Sequence, residues 1–168
     1  MHGPSIRVAS VDDLPAIDAI YDHYVEQATC TWQYEPTPPA ERRAWFDAHG
    51  AAHPITVAVL DGGGAGEVVG WGSLSVYNRR EGYRFTVENT VYVHPRHHRR
   101  GIGRALLADL VERARALGHH SIVASISADQ EASIALHAAA GFLEVGRMRE
   151  LGVKFGRWLD CVYMQKLL

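Results

Sequence analysis

The chain has 168 residues, 47% apolar and 21% charged. This fits one globular domain large enough to bury its own core without disulfide staples. A formal net charge of -2 excludes a protein that binds polyanions as a whole, so any basic site must be local. No apolar run approaches the ~20 residues that cross a bilayer, and the opening MHGPSIRVAS lacks the apolar stretch of a signal peptide. Both features point to the cytoplasm.

Ile6 to Ala9 reads as a strand. Ser10-Val11-Asp12-Asp13 then marks a helix start, with acidic groups at the amide end. Leu14, Ile17, Ile20, Tyr21 and Tyr24 follow at helical spacing. The three prolines of residues 29–39 make an apolar loop, and a second helix is expected from Pro39 through Trp45 and Phe46 to Gly50. Ile55 to Leu60 and Val68 to Val76 read as the arms of a hairpin, with a turn at Asp61-Gly62-Gly63-Gly64. After a polar loop over 77–83, residues 84–93 form a long strand. Phe85, Val87, Asn89, Val91 and Val93 share one face of it; Thr86, Glu88, Thr90 and Tyr92 share the other. That contrast suggests one packed face and one that meets water or a ligand.

Ile102, Leu106, Leu110, Ala114 and Leu117 define a helix closed by Gly118. Ser121 to Ser127 is a buried strand, and Asp129 to Ala140 a helix stopped by Gly141. Phe142 to Glu150 and Trp158 to Lys166 are two last strands joined by LGVKFGR. Strands fall mostly as neighbours with helices between them, which implies a mixed sheet with helices on both faces.

The chemistry concentrates in HRRGIGRALL, residues 98–107. A strand, a glycine loop and a helix N-terminus form an anion cradle. The first amides of the helix lack partners, the helix end carries partial positive charge, and glycine lets a phosphate approach the backbone. Arg99, Arg100 and Arg104 add charge. The pattern is neither GxxxxGK[ST] nor GxGxxG, because Leu106 stands where the third small residue would be. ATP and dinucleotides are therefore disfavoured. Cys30 and Cys161 show no metal or redox spacing and read as packed thiols. His94, His97 and His98 share one loop, but no metal site is assigned to them.

VYVHPRHHRRGIGRALL resembles the acetyl-CoA motif of the GNAT superfamily of N-acetyltransferases, with His98 where that family carries Gln or Arg. SADQEASIALHAAAGF resembles the next motif, with Gln130 at a position often held by Asn. TWQYEP, YNRREGY, TVENTVYV and GVKFGRWLD are similar to the phosphinothricin and methionine sulfoximine acetyltransferase branch. The resemblance covers residue 6 to the C-terminus. It implies one N-acetyltransferase domain with a mixed, mostly antiparallel sheet, helices on both faces and a splayed strand pair at the acetyl-CoA site. It implies acetyl-CoA as acetyl donor, no metal, a small amino-acid-like acceptor and a homodimer, with no nucleic-acid or membrane partner.

Acetyl transfer to an amine needs a base for the ammonium proton and a donor for the developing oxyanion. Glu88 is the first choice for the base, against a plain strand carboxylate paired with Arg84. His137 shares a helix face with Gln130 and Ser133; the resemblance implies that it is the acid for the leaving thiolate, against a plain polar residue on a half-exposed helix. The resemblance places the cofactor on the backbone of Val91, Tyr92 and Val93, on Arg99, Arg100, Gly101, Ile102, Gly103 and Arg104, and on Gln130 and Ser133. Asn78, Arg79 and Arg80 suit an anionic acceptor, since arginine pairs bidentately with carboxylate or phosphinate. Asn89 and Thr90 complete the acceptor site, and Trp32 and Tyr34 supply either an apolar wall for it or ordinary packing. Lys154, Trp158 and Asp160 match the branch without an evident role. The rival readings are an acetyltransferase for a peptide, antibiotic or polyamine, and a non-catalytic acyl-CoA or RNA binder.

Overall fold

The computed structural model describes residues 3–60 and 66–168. The elements run β1 Ser5–Val8, α1 Leu14–Gln27, α2 Pro39–Ala48, β2 Ile55–Leu60, β3 Glu67–Val76, β4 Thr86–Val93, α3 Ile102–Ala116, β5 Ser121–Ser127, α4 Glu131–Ala139, β6 Leu143–Lys154 and β7 Arg157–Leu167. The strands form one sheet in the order β1-β2-β3-β4-β5-β7-β6. Its pairs are antiparallel except β4 with β5. This is the mixed, mostly antiparallel sheet expected. The turn expected at Asp61-Gly62-Gly63-Gly64 lies outside the described residues, although the strands on either side of it pair as a hairpin does.

Two apolar layers hold the helices to the sheet. Leu14, Ile17 and Ile20 of α1 pack with Ile55, Val57, Val59 and Trp71, joined by Trp45 and Phe46 of α2. On the other face Leu107, Leu110, Val111 and Ala114 of α3 meet Leu74, Val87, Ile122, Val162 and Met164. Burial of this kind stabilises at roughly 25 cal/mol per Å² of apolar surface. On β4 the face of Val87 and Asn89 is buried, while Thr86, Glu88 and Thr90 on the other face are half-buried, as the contrast between the two faces suggested. Tyr92, on the more polar face, stacks edge-on to Tyr21 at 5.2 Å and lies against Trp71, because α1 roofs that side.

The start of α1 is fixed by charge. Asp13 accepts from Arg7 through two 2.7 Å bonds and from the Ser10 amide at 2.7 Å, and a short 3-10 turn over Val11–Asp13 precedes the helix. The largest departure from the sequence reading lies at the C-terminal hairpin. β6 and β7 do not stop at Glu150 and begin at Trp158; they continue to a two-residue turn. Phe155 and Gly156 both take positive φ, 51° and 70°, the geometry that matches the twist of paired strands. A bulge at Glu150, φ 50°, is held by its amide donating to Asp160 Oδ1 at 2.9 Å. This gives Asp160 a structural role.

Candidate active site

The parallel pairing of β4 with β5 covers only Thr86↔Ser121, Val87↔Ile122 and Glu88↔Val123. Beyond Glu88 both strands continue, but apart. His94 donates its amide to Val69 of β3. By the alternation of an antiparallel ladder, Val91 and Val93 turn their amides and carbonyls toward the β5 side, where no strand among the described residues receives them. Tyr92 turns the other way, so its backbone belongs to the β3 ladder and only Val91 and Val93 present the free edge. Tyr24 Oη donates to the Val93 carbonyl and lies 2.6 Å from His98 Nε2, a capping arrangement that no local sequence signal gives.

The fork encloses a cavity of about 80 Å³, lined by Asn89–Tyr92 on one side, Ala124–Ser127 on the other, and Cys30, Gln130, Ser133 and His137. A wider cleft of about 520 Å³ shares several of these residues and runs to the N-terminus of α3. It is lined by Val93, His98, Arg99, Gly101, Ile102, Gly103 and Arg104 among others. Of the residues expected to hold the cofactor, Arg100 alone lines neither space; its guanidinium lies 3.4 Å from His97 Nδ1.

The mouth of α3 is built as an open anion site. Gly101 caps the helix at φ 78° with no side chain to satisfy its amides, a conformation other residues adopt only at a cost. The first amides of the helix, on Ile102, Gly103 and Arg104, have no backbone acceptor among the described residues. Their dipole adds to the exposed Arg99, Arg100 and Arg104. Free amides, a glycine-lined approach and a strand edge with unclaimed polar groups fit a pyrophosphate followed by an amide-bearing arm.

Glu88 sits at the closed end of the fork, half-buried, on the sheet face opposite Asn89. The alternative pairing with Arg84 is not formed: that guanidinium lies over the Phe85 ring, 4.5 Å from its centroid. No ion pair engages Glu88 among the described residues. Arg79 and Arg80 are exposed, on the loop that leaves β3 one register pair beyond Ser75↔Glu88. Asn78 Oδ1 accepts the Arg80 amide at 3.0 Å. Asn89 and Thr90 line the fork, whereas Glu88, Asn78, Arg79, Arg80 and Trp32 do not.

His137 is 4% exposed. Its Nδ1 lies 2.8 Å from the Ser133 carbonyl and its Nε2 2.9 Å from Asn89 Nδ2. Burial lowers its pKa, partly offset by the Ser133 carbonyl. Both ring nitrogens therefore have partners within the protein. Gln130 lines the cleft, yet its amide donates to Thr29 Oγ1 at 2.9 Å. Burial pushes the Cys30 thiol up to about 11 against the opposing charge of Lys154, so Cys30 stays protonated at neutral pH.

The sequence offered no role for Lys154, and the structure supplies one. It is 1% exposed, and its ammonium donates to the carbonyls of Thr31 at 2.7 Å and Tyr24 at 3.3 Å. Tyr34 Oη donates to the Val153 carbonyl. A side chain on Gly152 would collide with the Trp32 ring, so the bare residue lets the loop close on β6. Trp158 remains 65% exposed, and nothing in the structure explains it. Among the described residues no helix is long and apolar enough to cross a membrane, and no cluster of His, Cys, Asp or Glu could hold a metal ion.

A forked parallel pair leading to a bare helix mouth defines an acyl-CoA-dependent transferase fold. Residues 17–142 match the family model described as Acetyltransferase (GNAT) family. The chain is 47% identical to the L-methionine sulfoximine/L-methionine sulfone acetyltransferase of Pseudomonas paraeruginosa, over 96% of this chain and 92% of that one. It is 38% identical to the phosphinothricin N-acetyltransferase of Alcaligenes faecalis, over 98% and 82%. A GNAT superfamily phosphinothricin acetyltransferase from Sinorhizobium meliloti, solved in complex with AcCoA, superposes with a TM-score of 0.94 at 38% identity, covering 99% of this chain and 89% of that one. The protein belongs to the GNAT family, and it is an acetyl-CoA-dependent N-acetyltransferase.

Proposed function

We propose that the protein moves the acetyl group of acetyl-CoA to the amine of a small amino acid or analogue of the methionine sulfoximine or phosphinothricin type. The observation that carries this reading is the position of Glu88, a carboxylate without an ion pair among the described residues, at the closed end of a fork whose open end is the α3 amide site. The names of the similar proteins support the acceptor class.

In this reading the amides of Ile102, Gly103 and Arg104, with Arg99 and Arg104, hold the pyrophosphate. The Val91 edge aligns the arm that follows. Bound there, acetyl-CoA supplies an activated acyl carbon and a thiol acidic enough, at about 8.5 for an ordinary thiol, to depart as an anion. Glu88 removes the ammonium proton directly or through one water. Arg80 pairs with the acceptor's acidic group, and Trp32, held by Gly152 and the Lys154 loop contacts, walls the acceptor site. The whole span acts as one domain in the cytoplasm. The exposed Leu143, Val145, Met148 and Leu151 of β6, on an edge strand, form the face of a homodimer.

Acetyl-CoA turnover should be measured against methionine sulfoximine, methionine sulfone, phosphinothricin, the common amino acids, polyamines and short peptides. Turnover should concentrate on amines that carry a nearby anion. Activity confined to polyamines or peptides would overturn the acceptor assignment. Sedimentation of the purified protein checks the dimer.

A further inference from the structure

Asn89 is the first residue of β4 beyond its last pair with β5. It is 7% exposed, yet among the described residues its Oδ1 has no hydrogen-bond partner. The residue borders the cavity inside the fork. A buried carbonyl without a donor is unfavourable, so a polar side chain kept at this place asks for a donor that arrives with a ligand.

The partner of the same amide fixes its orientation. A carbonyl can only accept, so the 2.8 Å contact to Ser133 places the hydrogen of His137 on Nδ1. In a neutral ring Nε2 is then an acceptor, and Asn89 must turn its NH₂ toward it and its oxygen away. Neutrality follows from the surroundings. The titratable groups lining the cavity are Cys30, Tyr92 and His137 itself. No carboxylate there would favour an imidazolium, and burial disfavours one. Phe142 meets the ring edge-on at 5.1 Å and fixes its plane.

We propose that His137 is a positioning residue: its Nε2 grips the Asn89 amide so that Oδ1 faces the fork as an acceptor for an N–H of a bound reactant. This rests on the transferase reading above but not on the identity of the acceptor. The N–H comes either from the amide nearest the sulfur of the cofactor arm or from the acceptor amine, and the two sources are separable by experiment.

The first test is the histidine ring nitrogen NMR spectrum of the ligand-free protein at neutral pH. The expected signature is a neutral ring with hydrogen on Nδ1. A ring with hydrogen on Nε2, or an imidazolium, overturns the proposal. The second test substitutes Asn89→Leu, with folding checked by thermal denaturation. A rise of about tenfold in the acetyl-CoA Kd, measured by titration without acceptor, assigns the donor to the cofactor arm. A comparable rise confined to the acceptor KM assigns it to the amine. If neither moves, Oδ1 contacts no reactant and the proposal fails.

The third test compares His137→Gln with His137→Leu. Glutamine can still accept from Asn89 but cannot act as a proton donor of histidine's kind, so it should retain most of kcat while leucine loses it. Equal loss of kcat in both, with acetyl-CoA affinity intact, would make His137 a proton donor instead. Because the NMR spectrum and the acetyl-CoA titration need no acceptor, a failed acceptor screen leaves this inference standing.

Discussion

The ammonium of Lys154, at the tip of β6, donates to the carbonyl of Thr31, 123 residues earlier in the chain, at 2.7 Å. A buried lysine is costly unless its hydrogens are used, and burial lowers its pKa against the opposing effect of Cys30. The contact ties the segment carrying Trp32 to the C-terminal hairpin, and a second tie, Thr29 Oγ1 to Asp129 Oδ2 at 2.8 Å, fixes it to the start of α4.

Lys154→Met should therefore free the acceptor loop more than it unfolds the protein. The expected result is an acceptor KM several-fold higher, with acetyl-CoA affinity nearly unchanged. Lys154→Ala adds a cavity to an unpaired carbonyl and should lower unfolding stability by ~2–3 kcal/mol. Urea denaturation and steady-state kinetics check the two substitutions.

Glu88→Gln removes the base while keeping shape. The expected loss of kcat at neutral pH is about 10²–10⁴-fold. Activity should partly recover as pH rises toward the acceptor amine's own pKa, near 8 for an α-amino group, because the amine then arrives unprotonated. A pH–rate profile checks this, and an unchanged kcat would remove Glu88 from the role.

Gly101→Ala isolates backbone strain from crowding. No atom stands within 4 Å of where the new Cβ would lie, but φ is 78°. An L-residue there costs about 1–2 kcal/mol. The fold should survive, with acetyl-CoA binding weakened about tenfold as the helix mouth relaxes. Calorimetric titration with acetyl-CoA measures the change.

Acid should destabilise the fold through Asp13. Hydrogen bonds from Arg7 hold its carboxyl below the usual range against the effect of burial, with Ser10 assisting. For Asp129, burial pushes the other way but hydrogen bonds from Thr29, Ser127 and Gln130 prevail. The folded state thus binds these protons more weakly than the unfolded chain. The stabilisation is present above the unfolded carboxylate pKa of about 4 and lost as pH falls through the depressed folded values. Because Arg7 is 46% exposed, solvent limits the pair to ~1 kcal/mol. Asp13→Asn should lower neutral stability by about that amount and flatten the acid limb of Tm against pH.

The glycine loop, the helix it opens and the strand carrying Glu88 were legible in the sequence because each is local. A left-handed Gly101, free amides and an apolar stripe at helical spacing depend only on residues a few positions apart. The turn at Phe155-Gly156 was hidden because a bulky residue at positive φ has no local reason to be there; the pairing of β6 with β7 imposes it.

The chain alone determined the element order, the anion cradle and the presence of Glu88 and His137. Tertiary structure decided what those groups could do. It parted β4 from β5 after Glu88, placed Asn89 of β4 against His137 of α4, and directed the charge of Lys154 onto the Thr31 carbonyl. Hydrogen bonds between residues 48 and 123 positions apart depend on how helices and sheet pack, and no spacing along the chain encodes them.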